Sequence, residues 1–227
     1  MSWNDKITTC ITMGLRPDLL QETFESLSPE LQSLPIVAIN DFGDTETNDM
    51  FHSLWPNGTL IDKGGRIGHT KAIDAIYEHV KTPYVFHIED DWGFTNCDFV
   101  QPAIDVLDAD SDVSMVCLRA LADFKLKPEK AEQVMDETVA GHLINRMDNI
   151  DPDWHGYTFN PHISRLSLWK EIGGFSQFRG EKKVSIHFRQ MGKHVAYLQP
   201  GYCGHIGGGA SARRRKDEAK PAPKSQS

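Results

Sequence analysis

No apolar run in this sequence approaches the ~20 residues needed to cross a bilayer, so no membrane-spanning helix is predicted. The four cysteines, Cys10, Cys97, Cys117 and Cys203, are scattered, with no CxxC pair and no zinc-type spacing. That spread argues against a disulfide scaffold and against a structural zinc site. Basic charge is in deficit as well: 24 Lys and Arg face 32 Asp and Glu, a net charge of −8. Such a balance speaks against a surface coated for nucleic acid. The opening Met1-Ser2-Trp3-Asn4-Asp5-Lys6 lacks the apolar stretch of a secretory leader, and the expectation is a cytoplasmic protein.

What is present fits a soluble globular chain: 227 residues, 39% hydrophobic and 25% charged, enough to bury a substantial core. A single domain is expected over residues 1–209, followed by a tail of different composition over 210–227. The tail holds Arg213, Arg214, Arg215, Lys216, Lys220 and Lys224 against Asp217 and Glu218, amid Ala, Pro and Ser. It reads as disordered and basic, suited to phosphate, nucleic acid or an anionic surface, or simply solvated.

Along the chain, strand and helix alternate. Lys6 to Thr12 is rich in β-branched residues and reads as a strand. A helix opens at Arg16-Pro17-Asp18 and runs to about Leu27, with Leu19, Leu20, Phe24 and Leu27 on one face. Pro35 to Ile39 is a short buried strand, and Thr59 to Ile61 a weak one. A glycine-rich turn (Gly64, Gly65, Gly68) leads into a helix from about His69 to Val80, then a strand from Tyr84 to Ile88. Phe99 to Leu107 reads as helix and Val113 to Leu118 as strand. Beyond that point the pattern loosens: a charged helical insertion is expected over 121–150 and an aromatic loop at Trp154-His155-Gly156-Tyr157. Helices follow over Ser167 to Ile172 and Lys182 to Met191, a strand over Val195 to Leu198, and a flexible glycine-rich loop from Gly201 to Gly209. The alternation predicts an α/β domain with a mainly parallel sheet flanked by helices.

In such sheets ligands gather at the carboxyl ends of strands. Two predicted strands end there in acids: Asp41 and Asp44 after the second, and Glu89-Asp90-Asp91 after the strand at Tyr84. Neighbouring carboxylates repel and raise one another's pKa. Composition alone leaves two readings of that run, a solvated acidic loop or a site for a divalent cation such as Mg²⁺ or Mn²⁺ shared with substrate phosphates.

Three segments carry a more specific resemblance. Gly64 to Trp92, GGRIGHTKAIDAIYEHVKTPYVFHIEDDW, resembles the core of family-2-like GT-A glycosyltransferases, where a glycine turn and a helix lead into a strand of the form t-x-Y-V/I-x-x-x-D-x-D. Pro35 to Asp44 (PIVAINDFGD) is similar to the family's second strand, vvVvDDgStD. Ile172 to Phe175 (IGGF), with Glu181 after it, resembles the stretch l-x-x-i-G-G-F-x-x-x-x-x-x-E-D.

The resemblance implies a GT-A fold (the nucleotide-diphospho-sugar transferase fold) and a metal-dependent transfer of a sugar from a nucleotide-sugar donor, most readily a UDP-sugar, to an acceptor with inversion. It assigns residues 1–120 to the donor half and 121–209 to the acceptor half. It places Thr12, Arg16, Asp41, Arg66, Glu89 and Asp90 around the nucleotide, and Asp91 with His205 on Mn²⁺ or Mg²⁺. Glu181 is the implied catalytic base. The sequence departs from the pattern there, with Lys182 where the family shows Asp, which leaves Asp153 or His155 as replacements. Trp154, His155, Tyr157 and Arg165 are candidates for acceptor binding. His87, inside the strand, is assigned to packing or hydrogen bonding. The acceptor stays open among glycan, lipid carrier, protein and modified nucleic acid. Two other functions stay in view: a catalytically idle binding module of the same fold, and a nucleotidyltransferase. The latter fits poorly because Met13-Gly14-Leu15-Arg16-Pro17 has one glycine and a proline where a phosphate loop is required.

Overall fold

The first strand, β1 (Ile7–Met13), is buried along its whole length, as expected of β-branched residues in a strand covered on both faces. The computed structural model describes residues 3–208. The tail, with Arg213, Arg214 and Arg215, lies outside the described residues. Helix α1 (Pro17–Ser26) has proline in its first turn, where the missing N–H costs nothing, and α2 (Pro29–Gln32) is a single turn capped by Ser28. They lead to β2 (Ile36–Asn40). Helix α3 (Thr45–Leu54), β3 (Thr59–Ile61), α4 (His69–Tyr77) and β4 (Tyr84–Glu89) follow. Next come β5 (Trp92–Phe94), α5 (Val100–Ala109) and β6 (Val113–Cys117).

Helix α3 escaped the sequence reading. Its start is marked by Asp44, whose carboxylate accepts the Thr47 N–H at 3.0 Å, a helix-capping bond. Asp44 also accepts the Leu15 N–H at 2.8 Å, so this acid braces the β2 turn.

The expected helical insertion at 121–150 is corrected. After a 3-10 turn at Leu121–Phe124 and the single-turn α6 (Pro128–Ala131), the chain forms a hairpin of β7 (Met135–Val139) and β8 (His142–Arg146). Ala140 and Gly141 between the strands have φ of 51° and 84°, the double left-handed turn whose twist matches a tight hairpin. Charged residues there decorate a half-exposed sheet edge. Beyond the aromatic loop the chain enters β9 (His162–Arg165). Then come α7 (Leu166–Glu171), α8 (Glu181–Gln190), β10 (His194–Leu198) and β11 (Cys203–His205).

Nine strands form one sheet in the order β3-β2-β1-β4-β9-β6-β10-β8-β7. Strands β3, β2, β1 and β4 are mutually parallel, as are β6 and β10, while β9 runs antiparallel between β4 and β6. Alternate strand residues feed two apolar layers: Ile7 and Ile11 pack with Leu20, Phe51 and Phe99, and Cys10 and Val85 with Ile73, Tyr77 and Phe175. In register, Thr12 faces Ile39 on one side and Glu89 on the other, and Met13 faces Asn40. The segments following β1, β2 and β4 therefore emerge together along one sheet edge.

The last strand is a second correction. The expected flexible loop from Gly201 instead pairs antiparallel with β5, placing Cys203 opposite Phe94, Gly204 opposite Gly93 and His205 opposite Trp92. Close approach explains the glycines: a Cβ on Gly207 would sit 2.7 Å from Asp91 Oδ2.

Candidate functional site

The acidic run closing β4 lies at the carboxyl edge of the parallel strands, and each member has its own partners. Asp90 is fully buried and takes the Gly14 N–H at 2.9 Å. Burial pushes its carboxyl up to about 7, against the opposing pull of Arg16. The Arg16 guanidinium reaches both Asp90 and Asp91 as a two-pronged ion pair. Arg16, the residue before α1, gives that helix no side-chain cap, because a guanidinium has no acceptor for the first backbone N–H groups.

Asp91 Oδ2 lies 3.0 Å from His205 Nε2, and its backbone carbonyl accepts the Ile206 N–H at 2.9 Å. Pairing of β11 with β5 is what carries His205 there.

Glu89 faces the other way. Its Oε1 lies 3.3 Å from His69 Nε2 and its Oε2 accepts the Trp92 indole N–H at 3.3 Å. Burial would raise its pKa, but the hydrogen bond and charge of His69 prevail and lower it. His69, which was not among the site residues expected from the sequence, is the first residue of α4. Burial would lower its pKa; the hydrogen bond and charge of Glu89, helped by Glu181 and Asp41, raise it. Its position just after the glycine turn, at the carboxyl edge of a parallel sheet, was the available signal.

Asp41 accepts the Ile67 and Gly68 N–H groups at 2.7 and 3.1 Å, an anion seated at the start of α4. Arg66 Nε stands 3.8 Å from Asp41 Oδ2 and its guanidinium lies over Phe42. Thr12, buried beside Glu89, completes this wall.

Glu181 opens α8, its Oε1 accepting the Phe159 N–H at 2.5 Å and the Thr158 hydroxyl at 3.1 Å. The Phe159 ring meets His69 edge-on, centroids 5.2 Å apart, so Glu181 and His69 flank one aromatic residue. Lys182 is turned to Asp153, Nζ to Oδ2 2.6 Å, on the exposed surface. The alternative bases are thus engaged elsewhere: Asp153 with Lys182, and His155 Nδ1 with the Asp148 carbonyl at 2.9 Å.

Of the acceptor candidates, Trp154, His155 and Tyr157 share one segment, and Arg165 lies apart from the acidic run. Tyr157 is buried against Phe159 and Phe188. Trp154 is half-buried and donates its indole N–H to the Tyr157 carbonyl at 2.6 Å. Arg165 donates to the backbone carbonyls of Leu107, Ser111 and Val113. It pairs in register with Tyr84, at the opposite end of β4 from Glu89. Tyr157 and Arg165 therefore serve the fold, because an aromatic core and unpaired strand-end carbonyls claimed them first. His87, fully buried and stacked on His162 with centroids 5.0 Å apart, has the packing role expected of it.

Among the described residues no group of three or more His, Cys, Asp or Glu side chains is arranged to hold a metal ion. Asp91 and His205 nevertheless suit a divalent cation. Their 3.0 Å separation matches neighbouring ligands of an octahedral ion with bond lengths of about 2.1 Å. Such ions keep the rest of their shell for water and substrate phosphates.

Neither a protein-family model nor a curated protein matches this sequence. Solved structures do. The mannosyltransferase PcManGT from Pyrobaculum calidifontis, in complex with GDP-Man and Mn²⁺, is 16% identical with a TM-score of 0.61, over 87% of this chain and 56% of that one. TarS 1–349 from S. aureus with UDP-GlcNAc is 14% identical with a TM-score of 0.60, over 91% of this chain and 61% of that one. GalNAc-T7 with UDP, GalNAc and Mn²⁺ is 16% identical with a TM-score of 0.61, over 89% of this chain and 44% of that one. The chain spans between 44% and 61% of these proteins' lengths. The shared architecture is the GT-A fold.

Proposed function

We propose that this chain is a metal-dependent glycosyltransferase that moves a sugar from a UDP-sugar to an acceptor hydroxyl with inversion. The observation that carries the reading is the meeting of Asp91 and His205, 114 positions apart, at the carboxyl edge of the sheet. A solvated acidic loop has no need of a returning strand that delivers an imidazole to it.

Residues 1–120 would hold the donor. Asp41 and Arg66 stand at the glycine turn, where the nucleoside would be held, and Thr12 pairs in register with Glu89 beside them. Glu89 and His69 stand between that turn and Asp91. Asp90, buried and tied to Gly14, would hold Arg16 at the site. Asp91 and His205 would hold Mn²⁺ or Mg²⁺, which when bound supplies Lewis-acid relief of the charge on a departing diphosphate. Arg16 and His69 are the cations of this chain placed to meet the same charge. Glu181, held by two donors on one oxygen, would accept the acceptor hydroxyl proton through the other. As it does so, the acceptor oxygen bonds to the sugar's anomeric carbon and the bond from that carbon to the diphosphate breaks. The four cysteines are free thiols, which agrees with a cytoplasmic setting, and no helix among the described residues is long and apolar enough to cross a membrane.

Calorimetry with UDP, GDP and UDP-sugars, in Mn²⁺ and in EDTA, on the native chain and Asp91→Asn tests the donor site. Metal-dependent binding of a uridine nucleotide, lost in the variant, is expected. Absence of binding to every nucleotide sinks the reading. Binding without release of nucleoside diphosphate in any acceptor mixture points to the idle module.

A further inference from the structure

A second concave surface lies behind the glycine turn. It is a groove of about 630 Å³ between α4 and the α7 segment. Lys71, Asp74, Ala75 and Glu78 line one wall. They are spaced as one stripe of α4 and its end, so the groove follows the helix for about 10 Å. Trp169 and Lys170 of α7 and the turn through Gly174 and Ser176 form the other wall, and Lys63 stands at its head.

The chemistry of this groove is uneven. Asp74, the acid on its floor, is already satisfied: it accepts the Trp169 indole N–H at 2.8 Å, the Phe175 N–H at 2.7 Å and the Ser176 N–H at 2.8 Å. The side-chain ammonium groups of Lys63, Lys71 and Lys170 have no ion pair or hydrogen bond among the described residues. Three unpaired cations thus face one unsatisfied acid, Glu78, in a chain whose net charge is −8. Because its indole N–H is committed to Asp74, Trp169 offers the groove carbon surface, which suits the apolar face of a sugar ring.

Location relates the groove to the donor site. Ile67 lines it, and the Ile67 N–H holds Asp41 on the other side of the same turn. The opposite wall ends at Ser176, five positions before Glu181. We propose that this groove binds an anionic glycan, a carbohydrate chain bearing carboxylate or phosphate groups, as the extended part of the acceptor. The assignment of an acceptor role rests on the glycosyltransferase reading; the binding does not.

The test is binding to the full chain at low salt of three probes: oligogalacturonate, a phosphorylated dextran oligomer and neutral dextran of the same length. The native chain is expected to bind at least one anionic probe more tightly than neutral dextran, with affinity falling as salt rises. The triple variant Lys63→Gln, Lys71→Gln, Lys170→Gln is expected to weaken that binding about tenfold or more. All three lysines are exposed, so the variant should fold, and its Mn²⁺-dependent UDP binding should match the native chain. Equal binding of charged and neutral probes overturns the proposal. So does anionic binding that the triple variant leaves unchanged, since the charge would then act elsewhere, as at Arg213 to Arg215. Loss of UDP binding in the native chain would sink the donor reading and leave the groove standing.

Discussion

His205 Nε2 sits 3.0 Å from Asp91 Oδ2, on the same carboxylate oxygen that Arg16 engages. A cation at this pair must compete with Arg16, so the site is neutralised before any metal arrives. Replacing His205 with Ala should weaken Mn²⁺-dependent UDP binding by more than about tenfold, the loss that even an outer partner of a metal ligand produces. Titration of Mn²⁺ followed by electron paramagnetic resonance checks this directly. Unchanged Mn²⁺ affinity would remove His205 from the site.

Glu181→Gln separates chemistry from architecture. A glutamine oxygen still accepts the Phe159 N–H that Glu181 now takes, so thermal stability and UDP binding should hold. The transfer rate should fall by about 10² to 10⁴, the usual contribution of a general base. A rate within a few-fold of the native enzyme would move the base elsewhere.

His69 makes stability depend on pH in a defined sense. Although burial would lower its pKa, Glu89, Glu181 and Asp41 raise it. A histidine raised by folding stabilises fully below its unfolded value of about 6.5 and loses that contribution as pH rises through the folded value. Urea denaturation should show the native chain more stable than His69→Gln at pH 5.5, with the gap closing by pH 9. The gap should be modest, because the side chain is 45% exposed and solvent screens the pair. A gap that widened with pH would contradict the pairing.

His87 acts in the opposite direction. It is fully buried, both ring nitrogens lack a hydrogen-bond partner, and burial holds its pKa well below the usual range. His162, stacked on it, is lowered to about 4. The unfolded chain protonates both near pH 6.5 while the fold does not, so stability falls as pH drops below that value. His87→Leu should raise the melting temperature at pH 5, where the native residue costs about 2 kcal/mol by this linkage. Calorimetric melting at pH 5 and pH 8 decides it; equal effects at both would reject the titration argument.

Asp74→Ala should cost about 3 kcal/mol, because three donors lose a buried acceptor. Denaturant midpoints measure this, and Asp74→Asn, which keeps one acceptor oxygen, should fall between.

Local sequence patterns encode most of the alternation of strand and helix up to β6, though not α3 or β5, and they mark the acids at the ends of β2 and β4. These are local properties: β-branched runs, a proline-started helix, a glycine turn and period-3.6 apolar faces announce themselves within a few residues. The sequence also showed Glu181 at the head of α8. Tertiary structure alone decided what each polar residue does. His205 became a partner of Asp91 because β11 pairs with β5, a contact between segments more than a hundred positions apart that no local pattern encodes. Arg165 and Tyr157 look like binding residues by type, yet strand-end carbonyls and a packed aromatic layer claim them. His69 looked like an ordinary helix residue until the sheet placed Glu89 against it. Propensity is written in neighbours along the chain, whereas a side chain's charge and chemistry are set by its neighbours in space.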